Sequence, residues 1–263
     1  AAVVVTLRRP GYVEDDWAYD YAIADRRPVT AGLDGRFDVD FGTAAPTGPA
    51  VDIERPLWGD AVVVRPDGHF IVRAWAPLTI DAWLESSSLS GFGPPGEPVA
   101  VTLRDAAGRI VVEHRPQAFD DPWQYDAPGW WTDIADRFGQ SVPVRAGDTV
   151  EVTLGGQTAR LVVPPLDAAS HIADDRVAGR TRAASPLTLQ AYGPGDEVAL
   201  DVTSDADGAF AFDLGAAGFD LVYNTYVSLG VDVGRHTLGH DVDVPGLTLD
   251  LDTGNVSGSS EPD

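Results

Sequence analysis

The segment LTLDLDTGNVSGSSEPD (247–263) reads as the opening of a folding unit. The same opening occurs twice earlier, as LTIDAWLESSSLSGFGPPGEPVAVTL (78–103) and LDAASHIADDRVAGRTRAASPLTLQAY (166–192). Each copy begins with an alternating run and passes through a short run broken by glycine: LSGF, VAGR, VSGS. The first two go on to a third run, VAVTL or LTLQAY. Residues 1–7, AAVVVTL, supply that third run when the end of the chain is set before its beginning.

Two further features repeat with it. The first is a hairpin: LWGDAVVVRPDGHFIVRAWAP (57–77), RAGDTVEVTLGGQTARLVVPP (145–165) and YVSLGVDVGRHTLGHDVDVPG (226–246). Alternating runs around Asp-Gly or Gly-Gly are strong hairpin signals, and a closing Pro cannot continue a ladder. The second is a turn and strand: GLDGRFDVDFG (32–42), DADGAFAFDLG (205–215) and, as a degenerate copy, APGWWTDIA (127–135). Apolar side chains at every second position predict half-buried strands. A helical turn or two is expected only near Trp131–Phe138.

The repeats divide the chain into 78–165, 166–246, and a third unit split between 247–263 and 1–77. Units of roughly 80–95 residues with about seven short strands predict tandem Ig-like, Greek-key β-sandwiches. Residues 1–77 are then an incomplete sandwich that lacks its first two strands. Such a body exposes core and unpaired edges. Three sources can fill the gap: the tail of the same chain, the tail of a neighbouring copy, or an adjacent repeat of a longer array. A tail of about seventeen residues reaches at most roughly 60 Å. Three sandwiches in a row span on the order of 100 Å, which favours a neighbouring copy and donor-strand insertion. The donor positions are Leu247, Leu249, Leu251 and Val256. The acceptor groove is Val3, Val5, Leu7, Phe37, Val39, Phe41, Val62 and Val64.

Composition narrows the function. The 263 residues carry 18 basic and 41 acidic side chains, a net charge of −23. Such a surface repels phosphates and anionic lipid, so nucleic-acid binding is excluded. No apolar run is long enough to span a membrane as a helix. Cys and Met are absent, and every basic residue is Arg. Thiol chemistry, disulfides and Lys-based covalent chemistry are therefore excluded. The start at Ala1-Ala2-Val3 suggests a processed or excised form.

The stretches DEVALDVTSDADGAFAFDL (196–214) and RAGDTVEVT (145–153) resemble the carboxypeptidase-regulatory-like and bacterial Ig-like tandem repeats of exported surface proteins. The resemblance implies an extracellular β-sandwich array in a stalk, adhesin or fibre, without catalytic residues.

Other candidate sites are few. DDWAYDY (15–21) and DDPWQYD (120–126) place Trp17, Tyr19, Trp123 and Tyr125 among carboxylates, with Trp130 and Trp131 nearby. Such rings stack on sugars, which makes glycans a second class of partner, but packing over a sandwich edge or between units is the favoured reading. Asp205 and Asp207 precede Gly208 and offer oxygens to Ca2+, but an Asp-Gly hairpin turn needs the same residues. No other cofactor is implied. His236 and His240 share a strand face without an obvious third zinc ligand and read as surface residues. No catalytic motif is present. The expected function is a non-enzymatic, extracellular structural subunit whose partners are other copies of itself, joined head to tail. The alternative is a carbohydrate-binding accessory module.

Overall fold

A computed structural model describes residues 2–11, 20–44, 50–51, 58–65, 67–94, 98–115, 129–223, 225–250 and 255–259. No α-helix occurs among them; a single 3-10 turn spans Ile172–Asp174. The expected helical turns near Trp131–Phe138 are instead a strand and a tight turn, because Trp130, Thr132 and Ile134 alternate into the core at a period of two.

The middle block contains β5 (Asp81–Trp83), β6 (Ser88–Phe92), β7 (Val99–Arg104), β8 (Ile110–His114), β9 (Gly129–Asp133), β10 (Thr149–Leu154) and β11 (Gln157–Val162). Its strands form one sheet ordered β5-β6-β9 and another ordered β11-β10-β7-β8. The third block contains β12 (Asp167–His171), β13 (Arg176–Arg180), β14 (Pro186–Gly193), β15 (Asp196–Thr203), β16 (Ala209–Asp213), β17 (Tyr226–Val233) and β18 (His236–Val242). The order repeats: β12-β13-β16 on one side, β15-β14-β17-β18 on the other. Each complete block is thus a three-stranded sheet of first, second and fifth strands facing a four-stranded sheet of the rest. This is an Ig-like, Greek-key β-sandwich.

The cores follow from alternation. Val99, Val101 and Leu103 of β7 and Leu187, Leu189 and Ala191 of β14 are all buried, with polar neighbours between them. The tight turns fall where glycine supplies a left-handed backbone, at Gly155 (φ 56°) and Gly156 (φ 78°) between β10 and β11.

The two sandwiches share a sheet. β18 runs parallel to β5, with Thr237, Leu238 and Gly239 opposite Asp81, Ala82 and Trp83. The result is one seven-stranded sheet, β15-β14-β17-β18-β5-β6-β9, and one continuous hydrophobic core. The Trp83 ring lies against Gly239, where an added Cβ would come within 2.7 Å of it. His236, expected at the surface, is buried in this joint, and its Nδ1 accepts the Ile80 N–H at 3.1 Å.

Among its described residues the N-terminal block shows the four-stranded half of this plan. Its strands β1 (Ala2–Gly11), β2 (Asp20–Thr30), β3 (Trp58–Val64) and β4 (Phe70–Trp75) form one sheet, β2-β1-β3-β4. That order matches the four-stranded sheet of each complete sandwich. Among the described residues no second sheet faces it. At the other end of the chain, β19 (Gly246–Asp250) and β20 (Asn255–Ser259) form a two-stranded sheet that pairs with no other described strand.

Candidate functional site: an open sandwich face and a separate hairpin

The inner face of the N-terminal sheet carries Val3, Val5 and Leu7, all buried, with Phe41, Val39, Ala61, Val63 and Trp75 packed around them. This small core is separate from the one shared by the two complete sandwiches. Beside it lies a groove of about 400 Å³ lined by Val5, Phe37, Val39, Phe41, Ala61, Arg73 and Trp75, among others. The sequence-expected residues Val3, Val5, Leu7, Phe37, Val39 and Phe41 are thus brought together.

Val62 and Val64 are not. The register of β1 on β3 sets Val3 opposite Val63 and Val5 opposite Ala61, so those two share the inner face. Val62 and Val64 fall one residue out of phase, and Val64 is exposed. A one-residue shift moves a side chain to the other face, and in the run AVVV nothing in the sequence distinguishes the two phases. Trp75 and Arg73 also escaped sequence reading; only the pairing of β3 with β4 brings them to the groove.

The expected strand over 37–41 is not formed. These residues lie outside any ladder, and Phe37 is 40% exposed. The equivalent residues of the complete sandwiches, Trp130 and Phe210, are 4% and 6% exposed. Each of those residues lies across the glycine of the second strand of its own block, and among the described residues no such strand faces Phe37.

One end of the segment is nevertheless held. The Arg27 guanidinium on β2 donates to the carbonyls of Asp40 and Phe41 and, at 2.7 Å, of Thr43. It also lies over the Phe41 ring, 4.9 Å from its centroid, and pairs with the fully buried Asp25 carboxylate at 2.7 Å. Phe41 stacks on Trp75, with centroids 6.5 Å apart. A second ion pair, Arg8 to Asp60 at 2.7 Å, ties β1 to β3.

The hairpin β19–β20 shares the register of the first hairpin of the complete sandwiches. Its register sets Leu249 opposite Val256 and Leu247 opposite Gly258. In the third block Ser170 stands opposite Val177 and Ala168 opposite Gly179. In the middle block Ala82 stands opposite Leu89. Leu89, Val177 and Val256 each sit two residues before a glycine. Leu251 lies outside the described residues, as do Trp17, Tyr19, Trp123 and Tyr125.

The remaining candidates have structural employment. Trp130 is a core residue whose Nε1 donates to the Thr79 carbonyl at 3.2 Å. Trp131 is half-exposed and donates to Ser88 Oγ at 3.0 Å. Asp205 Oδ1 accepts the backbone N–H groups of Asp207 and Ala209, the work of a hairpin turn. Among the described residues no three acidic, His or Cys side chains converge as a metal site. No helix among them is long and apolar enough to cross a membrane.

No family model matches the chain, and no curated protein matches it significantly. Among the solved structures similar to it are the following three. One is a tetra-tandem repeat in the extending region of a large adhesion protein (16% identity, 98% of this chain and 79% of that one, TM-score 0.21). Another is from a 1.5-MDa bacterial ice-binding adhesin (17% identity, 92% and 84%, TM-score 0.19). The third is the BSP domain of a biofilm-associated protein (14% identity, 62% and 28%, TM-score 0.24). Likeness at this level does not reach superposable architecture, and the functional reading rests on the strands of this chain.

Proposed function

We propose that this protein is a non-enzymatic structural subunit of an extracellular fibre or surface stalk, assembled head to tail. The β19–β20 hairpin of one copy closes the open face of the N-terminal sheet of the next. The observation that carries this reading is topological. The sheet β2-β1-β3-β4 repeats the four-stranded half of each complete sandwich, and β19–β20 repeats the hairpin of the other half.

The energetics agree with docking. Burying an aliphatic side chain contributes roughly 1.5–3 kcal/mol, so Leu247, Leu249 and Val256 together contribute about 5–9 kcal/mol. Phe37, Val39 and the open edges of both sheets add to this on the acceptor side. Association costs on the order of 4–15 kcal/mol. The balance is favourable only when anchors and acceptor are buried together, so the groove selects a matching hairpin over an arbitrary apolar surface. The contact is heterologous, and a contact of that kind propagates into a filament unless it closes a ring. The shared sheet between the two complete sandwiches makes each subunit a stiff segment. The acidic surface keeps subunits apart except at this joint.

Electron microscopy and light scattering of the full chain and of a variant lacking 247–263 test the proposal. Filaments or higher oligomers are expected for the full chain and single particles for the truncated one. Single particles of one size from both would refute it.

A further inference from the structure

The proposed assembly leaves open what happens to residues 36–41, which have no ladder of their own. The turn before that segment already has the conformation of its strand-forming counterpart, and the residue at its far end is buried as in that counterpart. In the third block, Asp205 N–H donates to the Ala209 carbonyl and Gly208 N–H to the Asp205 carbonyl, with Gly208 at φ 79°. In the N-terminal block, Gly32 N–H donates to the Arg36 carbonyl and Gly35 N–H to the Gly32 carbonyl, with Gly35 at φ 80°. The same turn is thus built in the absence of the strand that follows it. At the far end Phe41 is buried, as Leu214 is, and Arg27 holds the chain there.

The complete sandwiches show what is missing between these ends. In each, the fifth strand pairs with the second, and an aromatic residue stands opposite a glycine: Trp130 opposite Gly91, and Phe210 opposite Gly179. The aromatic lies across the glycine. A Cβ at Gly91 would come within 2.9 Å of the Trp130 indole nitrogen, and one at Gly179 within 2.8 Å of the Phe210 ring. The N-terminal block holds the aromatic of this pair, Phe37, and β20 holds the glycine, Gly258.

We infer that residues 36–41 are an unformed strand that pairs with β20 of the neighbouring copy, with Gly258 opposite Phe37 and Val256 opposite Val39. The inference rests on the hairpin-docking reading above and adds to it a register and a folding event. The partner is a second copy of this chain, and what it supplies is the backbone ladder these residues lack. Docking converts an exposed Phe37 into a core residue laid over a glycine. Register is selected by that contact, since a one-residue slip sets Ser257 or Ser259 against the ring.

The chain has no cysteine, so a disulfide between two introduced ones is unambiguous. The experiment oxidises full chains carrying Val39→Cys with Val256→Cys, and, as the slipped control, Val39→Cys with Ser257→Cys. Directly opposed residues meet the geometry a disulfide requires, and residues on opposite faces do not. The expected result is a ladder of covalent multimers from the first pair and none from the second. An equal or stronger ladder from the Ser257 pair overturns the register. Light scattering of the reduced variants separates the two levels. Multimers that cross-link at neither pair refute this inference alone. Monomers throughout, or a cross-link confined within single chains, refute the docking reading beneath it. Amide exchange of the unsubstituted chain gives an independent readout: slow exchange at 37–41 in assembled chains, lost on removal of 247–263. Fast exchange in both forms would overturn the inference.

Discussion

Arg27 shows how one residue ties a loop to the N-terminal sheet. Its guanidinium satisfies the buried Asp25 carboxylate and the carbonyls around Phe41 at once. Removing one partner of a buried ion pair leaves the other charged and unsolvated, at a cost of about 3–5 kcal/mol. Arg27→Ala is therefore expected to unfold the N-terminal block at markedly lower denaturant while leaving the signal of the two complete sandwiches in place. A shift of both blocks together would contradict the separation of their cores. Asp148 gives a pH-dependent counterpart. It accepts the Arg145 N–H at 2.9 Å in the turn before β10, and burial pushes its carboxyl above the ordinary 3.8. A raised folded-state value means that the contribution of the neutral form is present below 3.8 and is lost as pH rises through the folded value. Asp148→Asn should thus gain stability relative to the native chain near neutrality, and the gain should vanish as the pH falls toward 3.8. Urea midpoints of both proteins across this range decide the matter; a gain independent of pH would show that the carboxyl is not the cause.

Pairing of β18 with β5 is what turns two sandwiches into one mechanical element. Edge strands exposed at a domain boundary invite pairing, and here the last strand of one block takes the first strand of another. The joint depends on Gly239, because any side chain there meets the Trp83 ring at 2.7–3.0 Å. The larger Gly239→Val is expected to break the parallel ladder and to split a single calorimetric transition for residues 78–242 into two. A single unshifted transition would mean that the sandwiches are coupled by other contacts. The hairpin β19–β20 belongs to the same scale. Two-stranded hairpins are marginal in water until a hydrophobic face is covered, so its order is expected to rise on docking. The strand β4 also presents Phe70, Ile71 and Val72 to solvent along an edge that pairs with no other described strand.

Across the whole molecule, period-two alternation and glycine turns announced most of the strands, since those patterns act over a few residues and do not depend on what packs above them. The hairpins at 57–77, 145–165 and 226–246 and the glycine-broken second strands are present where the repeats placed them. The segment Phe37–Phe41 has the same local pattern and yet forms no strand; a ladder needs a partner, none is paired with it among the described residues, and sequence pattern carries no information on whether one is at hand. The phase of Val62 and Val64 and the burial of His236 escaped for a related reason: each is set by a neighbour distant in sequence, β1 in one case and Ile80 in the other. What the sequence by itself determined is the inventory of strands, their turns and the repeat that relates them, because these follow from local backbone preference and side-chain alternation. Only the tertiary structure decided which face of β3 is inward, that two sandwiches share one sheet, and that residues 37–41 lie outside any ladder, because register, edge pairing and burial are properties of surfaces in contact.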